Sequence, residues 1–361
     1  MRKMWFPATV ILLSFFNIGQ SLQFAINGDD WLALYRYNQD FNSFISHLDI
    51  RNYITPTSNY VFGYLMMGII SKLFSYNPYP YYLVALIIRI ITAFSFYFGV
   101  YSVAKNKWMG YLSAIFFAAM YAGIETTNWV SNMNTYLSII LMNVFLIIYS
   151  RKPMTLSFKT VMQSLILVAS FMITPVRMHG LLFFVPFAVF SSFGKINRRN
   201  IFQFLGILSI LYIPLILFRL LTYPNSALDY TRLTSSSNGN IFSVLLNLIT
   251  NLGSSIIPGI LINQAQPENL FNLLGGGLTM LILATYFYAN RLVYPLYSKL
   301  GLLFLSSSIS FLIIPGLINP TSVFSSDHRY LIIPASWLMV AFSIFIVTLY
   351  SRKNSMLKSL A

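Results

Sequence analysis

Apolar residues run through this chain in blocks of sixteen to twenty-three, broken by short polar turns, from its first residues to its last. A block of that length has the reach of a helix crossing the hydrocarbon core of a bilayer. The pattern predicts spans at 4–26, 81–103, 108–124, 134–149, 158–174, 178–193, 200–221, 271–289, 299–318 and 330–350. Two further segments, 57–74 and 241–262, are long enough to cross but equally suited to lying on or in the outer leaflet. Between them the turns are too short to hold a separate soluble unit. One integral domain over 1–361 is therefore expected, with an external loop carrying juxtamembrane helices at 27–76 and another external loop at 222–270. The expected fold is all-α, a polytopic bundle of about ten transmembrane helices.

Finer patterns refine the outer face. In 30–48, Leu34, Tyr37, Phe41, Phe44 and Leu48 recur at spacings of three and four among polar residues, which predicts an interfacial amphipathic helix. Near the end of the first span, Asn17, Gln20, Ser21, Gln23 and Asn27 fall on one side at 100° per residue. Such a face needs partners or water and should line a polar interior.

Composition agrees: 57% of residues are hydrophobic and only 9% are charged, against about a quarter charged in soluble domains. The N-terminal apolar stretch is too long for a signal-peptide core, and no small-x-small site precedes Gly28, so it reads as a retained span. Without cysteine, neither disulfides nor thiolate metal sites are available.

Charge adds a direction. With neither ambiguous segment crossing, fifteen Lys and Arg residues fall on one side, including Lys105, Lys107, Arg151, Lys159, Arg198, Arg291, Lys299 and Arg352, and all eight acids fall on the other. Short cytoplasmic loops collect basic residues. The +15 formal charge then reads as an orientation signal, helped by anionic lipid headgroups, and requires no nucleic acid. Both termini are expected in the cytoplasm, and the acids outside.

Few residues remain for chemistry. Asp29 and Asp30, in "NGDDW", hold two of the eight acids at the end of the first span. One is well explained as a helix cap, which leaves its neighbour facing elsewhere. Glu125, in "IETTNWVSNMN", is a third carboxylate on the same side; together the acids could deprotonate a hydroxyl or hold a divalent cation, Mg or Mn, at Asp30 and Glu125. Arg89 lies inside its span, at a cost of about 2.5–3.5 kcal/mol unless paired or hydrated; a structural ion pair is the plain alternative. Arg177 and His179 in "TPVRMHG", and His328 and Arg329 in "SSDHRYLIIP", stand at outer mouths of spans, where snorkelling to headgroups is equally open to them.

In order, these features resemble the GT-C superfamily of polyprenyl-phosphate-sugar-dependent glycosyltransferases, in the protein O-mannosyltransferase and aminoarabinose-transferase-like branch. The resemblance rests on "GDDW" after the first span, Pro56, Lys72 and Arg89 in the segment that follows, Glu125 in the next external loop, and "HRYLIIPASWLMV" opening the last span. It departs from the family where the acidic pair lacks a Glu and where the usual "HPPL" run is reduced to "YITPT". It implies sugar transfer from a polyprenyl-phosphate donor to a hydroxyl of a glycan, lipid or protein, outside a prokaryotic inner membrane. The roles it implies are catalysis for Asp29, Asp30 and Glu125, donor-phosphate binding for Arg89, Lys72, Arg177 and Arg329, and acceptor or cavity lining for His179, Asn17, Gln20, Arg51 and His328. Two other readings stay open: an O-antigen-type polymerase or ligase, and a polytopic transporter or flippase.

Overall fold

The structure, a computed structural model, describes residues 5–26, 30, 34, 61–122, 130–151, 156–174, 178, 180, 181, 202, 205, 206, 209, 210, 213, 241–256, 267–318 and 331–360. Among them every regular element is helical: α1 (Trp5–Ile18), α2 (Val61–Phe74), α3 (Pro78–Ala104), α4 (Lys107–Ala119), α5 (Asn134–Ser150), α6 (Leu156–Ile173), α7 (Ile241–Ser254), α8 (Pro267–Ala289), α9 (Pro295–Ile318) and α10 (Ile332–Leu360), with 3-10 turns at Gly19–Gln23 and Val130–Met133. Among the described residues, five stretches are long and apolar enough to cross a bilayer: Trp5–Gln23, Pro78–Ala104, Leu270–Ala289, Pro295–Leu312 and Ile332–Arg352. This is an all-helical integral membrane protein.

Its surface fits a lipid solvent. On α3, Ile87, Ile91 and Phe98 are exposed, and on α8 Leu270, Leu274, Leu278 and Leu281 form an exposed stripe one helical turn apart. In water such stripes would be sticky patches; in hydrocarbon they are the contact surface. Polar side chains instead turn inward and bond within the bundle, as hydroxyls to carbonyls one turn back or across helix pairs.

Local signals set the helix ends. Asn77 accepts from the Tyr79 N–H, and Pro78 follows at the first helical position, where its missing N–H costs nothing. A two-residue turn then closes the α3–α4 hairpin. Lys105 takes a left-handed conformation (φ 55°) as the α3 C-cap, and the Asn106 side chain accepts from the Trp108 and Met109 N–H groups to start α4.

Cross-helix contacts give the running directions. Arg89 reaches Tyr136 and, further along both helices, Ser95 accepts from Asn143, so α3 and α5 run parallel. Ser138 and Ser170 bond reciprocally, and Asn134 donates to the Ile173 carbonyl, which lays α6 antiparallel to α5. Ser308 donates to the Pro334 carbonyl and Phe304 stacks on Trp337 at 5.4 Å, which pairs α9 with α10. A Cβ on Gly253 would lie 1.8 Å from the Asn272 carbonyl oxygen, and one on Gly276 2.0 Å from that of Ile249. Backbones touch there, so α7 lies antiparallel against the first two-thirds of α8.

Two expectations change. Hydropathy predicts one span over 4–26, whereas α1 stops at Ile18, a 3-10 turn follows, and residues 24–26 are irregular. The polar face predicted from a 100° step splits as a result. In a 3-10 turn i and i+3 eclipse, so Gln20 and Gln23 point together to the exterior while Ser21 is buried. The second change is α4, expected over 108–124, which ends at Ala119. Thirteen residues reach about 20 Å, short of a hydrocarbon core of about 30 Å.

Candidate functional site

Because α4 stops short, the carbonyl of its C-cap residue Met120 opens inside the bundle, where water cannot serve it and protein donors must. Two side chains do so. Arg89 donates from Nη2 to the Met120 carbonyl at 2.8 Å, and Asn17 donates from Nδ2 to the same carbonyl at 2.9 Å and to that of Ala119 at 3.3 Å. A cation at a helix C-terminus also complements the partial negative charge there.

Arg89 is fully buried, the twelfth residue of α3 and about 16 Å along it from Pro78. Its Nη1 donates to the Tyr136 hydroxyl at 3.0 Å. Its guanidinium carbon lies 5.4 Å from the Phe117 ring centroid and 5.8 Å from that of Tyr136. Every partner is neutral: a carbonyl, a phenol and two ring faces. The Nε–H is buried without an acceptor, and no carboxylate pairs with the guanidinium among the described residues. The ion pair that would explain Arg89 as mere scaffolding is not formed by them. The rings and the carbonyl recover part of the burial cost, since a desolvated cation over an aromatic face is worth about 2 kcal/mol, yet among the described residues no anion balances the charge.

Other elements end beside this group. Asn134 and Tyr136 open α5, and Thr174, just past α6, bonds to Ser138 at 2.9 Å. The Met178 N–H donates back to the Thr174 carbonyl at 3.2 Å, and Gly180 accepts from Ser310 of α9 at 3.4 Å. The C-terminal ends of α4 and α6 and the N-terminal end of α5 thus lie at the level of Arg89, with Met178 tied to the α6 end and Gly180 to α9, while α3 extends about three turns further toward its N-terminus.

Asp30 stands on the wall formed by that continuation. It is helical, fully buried, and close enough to Tyr82 for its carboxylate to act electrostatically on the phenol. The Tyr82 hydroxyl donates to the Ala25 carbonyl at 2.8 Å, which ties the chain leaving α1 to α3. Tyr82 and Arg89, seven residues apart, share one face of α3 at a separation of about 10 Å along its axis. One buried acid and one buried cation therefore lie along a single helix face, the acid nearer the N-terminal start of α3.

The remaining sequence candidates separate. Asn17 belongs to the Arg89 group through Met120. Gln20 is exposed, and Lys72, in the last turn of α2, is exposed as well. Asp29, Arg51, Glu125, Arg177, His179, His328 and Arg329 lie outside the described residues. Among the described residues no three His, Asp or Glu side chains stand together, so they do not assemble a divalent-cation site and no step is routed through one. Sequence reading overlooked Tyr136, Tyr82 and the Met120 carbonyl. Tyr136 carried a faint signal, a phenol in the first turn after the polar run "NMNT"; a carbonyl carries none.

No protein-family profile, curated protein or solved structure matches this chain.

Proposed function

We propose that the protein is a membrane glycosyltransferase that moves a sugar from a polyprenyl-phosphate donor to an acceptor hydroxyl. The observation that carries the reading is the fully buried Arg89, whose partners are all neutral and whose Nε–H is unused, on the same helix face as the residue beside Asp30. A buried, uncompensated guanidinium is suited to an anion, and its planar fork to a phosphate. A buried carboxylate above it is suited to taking a proton.

In the reaction, Asp30, with Asp29 as its companion, accepts the proton of the acceptor hydroxyl as that oxygen bonds to the anomeric carbon. The bond from that carbon to the phosphate oxygen breaks on the opposite side, its electron pair leaves with the polyprenyl phosphate, and the configuration inverts. Arg89 stabilises the charge gathering on the leaving phosphate, where a preorganised donor in a dry site is worth most. Arg177 and Arg329 are assigned to the same phosphate, and Lys72, being exposed, to its approach. Glu125, His179, His328, Arg51, Asn17 and Gln20 are assigned to the acceptor side and the cavity wall.

The finer architecture belongs to the same proposal: about ten spans in a prokaryotic inner membrane, both termini cytoplasmic, and the Arg89 end facing outward. Basic residues support that orientation. Since α3 and α5 run parallel, Lys105 and Lys107 share an end of the bundle with Arg151 and Lys159, opposite to Asp30.

Membranes carrying wild-type, Asp29→Asn or Asp30→Asn protein, given a labelled polyprenyl-phosphate sugar, test the reading. Asp30→Asn should lower transfer by a factor of about 10² to 10⁴, the usual worth of a general base. Equal transfer by all three proteins would end the assignment.

A further inference from the structure

The opposite end of the bundle carries a second polar feature that sugar transfer does not use. At three turns there, cations follow the ends of helices, and two of the three are engaged by protein. Lys159 donates to the Tyr149 and Arg151 carbonyls that end α5. Arg291 donates to the Tyr288 carbonyl that ends α8 and lies 3.6 Å from the Tyr288 ring centroid. Those two complete helix C-termini.

The α3–α4 turn differs. Lys105 and Lys107 are exposed, and neither side chain makes a described contact with protein. Lys105 also occupies the left-handed position that closes α3, at φ 55° and ψ 24°, where glycine is the default because a side chain there is strained. Local folding favours glycine at that point; the chain carries a cation instead.

Beside these lysines stands an aromatic platform shared by α1 and α4. Trp5 and Trp108 are 43% and 60% exposed, with ring centroids 6.4 Å apart, and both pack on Tyr111, at 5.6 and 5.8 Å. Tyr111 is itself stacked on Tyr97 at 4.9 Å. Gly110 sets the platform's depth, because a Cβ there would come within 2.8 Å of the Tyr97 carbonyl and push α4 off α3. Indole rings favour the boundary between hydrocarbon and headgroups. Two unengaged ammonium groups next to them, at the level where phosphates lie, form a complementary surface for a negatively charged headgroup.

We propose that the α3–α4 turn is a binding site for an anionic phospholipid, with Lys105 and Lys107 on the headgroup phosphate and Trp5, Trp108 and Tyr111 against the glycerol and upper acyl chains. The site is independent of the sugar-transfer reading and lies at the far end of α3 from Arg89. It holds one edge of the α1–α3–α4 group at a fixed depth in a charged leaflet.

Tryptophan quenching by brominated lipids tests it in the full-length protein reconstituted into vesicles. Brominated phosphatidylglycerol should compete for the site well ahead of brominated phosphatidylcholine, by about fivefold for each lysine, the factor that corresponds to about 1 kcal/mol per cation near an anionic surface. The Lys105→Gly substitution separates binding from folding, because glycine relieves the left-handed strain. It should cut the preference about fivefold while thermal stability holds or rises. Lys105→Gly with Lys107→Gln should bring the ratio of the two lipids close to one, as should 1 M salt. Trp5→Phe combined with Trp108→Phe should remove the lipid-selective part of the quenching. A wild-type ratio near one, a preference that survives the double lysine substitution, or selective quenching undiminished when Trp5→Phe and Trp108→Phe are combined would each overturn the site.

Discussion

Arg89 serves two masters, and a single substitution separates them. As a strut it caps α4 and holds Tyr136; as a binding group it presents charge. Replacing it with methionine keeps the length of the side chain, removes the buried charge, and leaves Met120 still served by Asn17 at 2.9 Å. Swapping a buried charge for an apolar group of similar volume is often neutral or stabilising. Arg89→Met should therefore leave the bundle folded, with a thermal midpoint within a few degrees of wild type, while the proposed sugar transfer falls at least about 100-fold, as loss of one transition-state donor predicts. If Arg89 is only a strut, the order reverses: a large fall in the midpoint, with transfer proportional to the folded fraction. Asn17→Leu offers the contrast. It leaves Arg89 on Met120 and takes a donor only from the exposed Ala119 carbonyl, so it should cost about 0.5–1.5 kcal/mol, the net worth of an ordinary hydrogen bond.

Among the elements, the α7–α8 pair has the least tolerance. At Gly253 and Gly276 an added Cβ would meet backbone oxygens at 1.8 and 2.0 Å, whereas at Gly277 it would meet only the Ile249 Cγ2 at an ordinary 3.7 Å. Backbone cannot step aside as a flexible side chain can, so the helices would have to separate. Gly253→Ala or Gly276→Ala should lower the thermal midpoint sharply and expose α7 to protease, while Gly277→Ala, which adds helix propensity, should be neutral or mildly stabilising. Equal behaviour of the three variants would show that the helices are not in backbone contact. Nothing in "GGGLTM" tells Gly276 from Gly277; only the facing Ile249 carbonyl does. The limit of sequence reading at this scale is of that kind. Hydropathy found α3, α5, α6 and α9 to within a few residues, because lipid-facing length is set locally by composition. It overran α4 by five residues because Met120 and Ala122 are as apolar as the helix before them; they are buried, at 6% and 2% exposure, in irregular backbone whose Met120 carbonyl Arg89 and Asn17 satisfy. Likewise the acids and cations could be read as sparse and one-sided, and Arg89 as costly, but not that its partners would be a carbonyl and a phenol contributed by segments 31 and 47 residues away.

At the scale of the whole molecule, charge and helix direction make independent statements about the same axis. The net charge of +15 gives a direction only if the basic residues collect at one end, and the contacts supply that condition in two groups of helices. Parallel α3 and α5 bring Lys105 and Arg151 to one end. In the other group, Arg352 acts electrostatically on Tyr286, and Tyr286 packs on Phe345 at 4.6 Å, so the last turns of α8, followed by Arg291 in the α8–α9 turn, lie beside the Phe345–Arg352 stretch of α10. Moving any of these clusters across the bilayer would work against the insertion preference that retains Lys and Arg in the cytoplasm. The chain contains no cysteine, so single cysteines can be introduced without first removing any. In sealed cells, cysteines at Lys105, Arg151 and Arg291 should resist a membrane-impermeant maleimide until the membrane is opened, whereas cysteines at Tyr76 and Asn77, both exposed just before the N-terminal start of α3, should react at once. Immediate labelling at Lys105 would invert the axis and put Asp30 and Arg89 toward the cytoplasm, where a donor presented on the outer leaflet cannot reach them. Labelling at Arg291 alone would instead break the common axis of the two helix groups, and would leave the Arg89 site facing outward with α8 to α10 reversed around it.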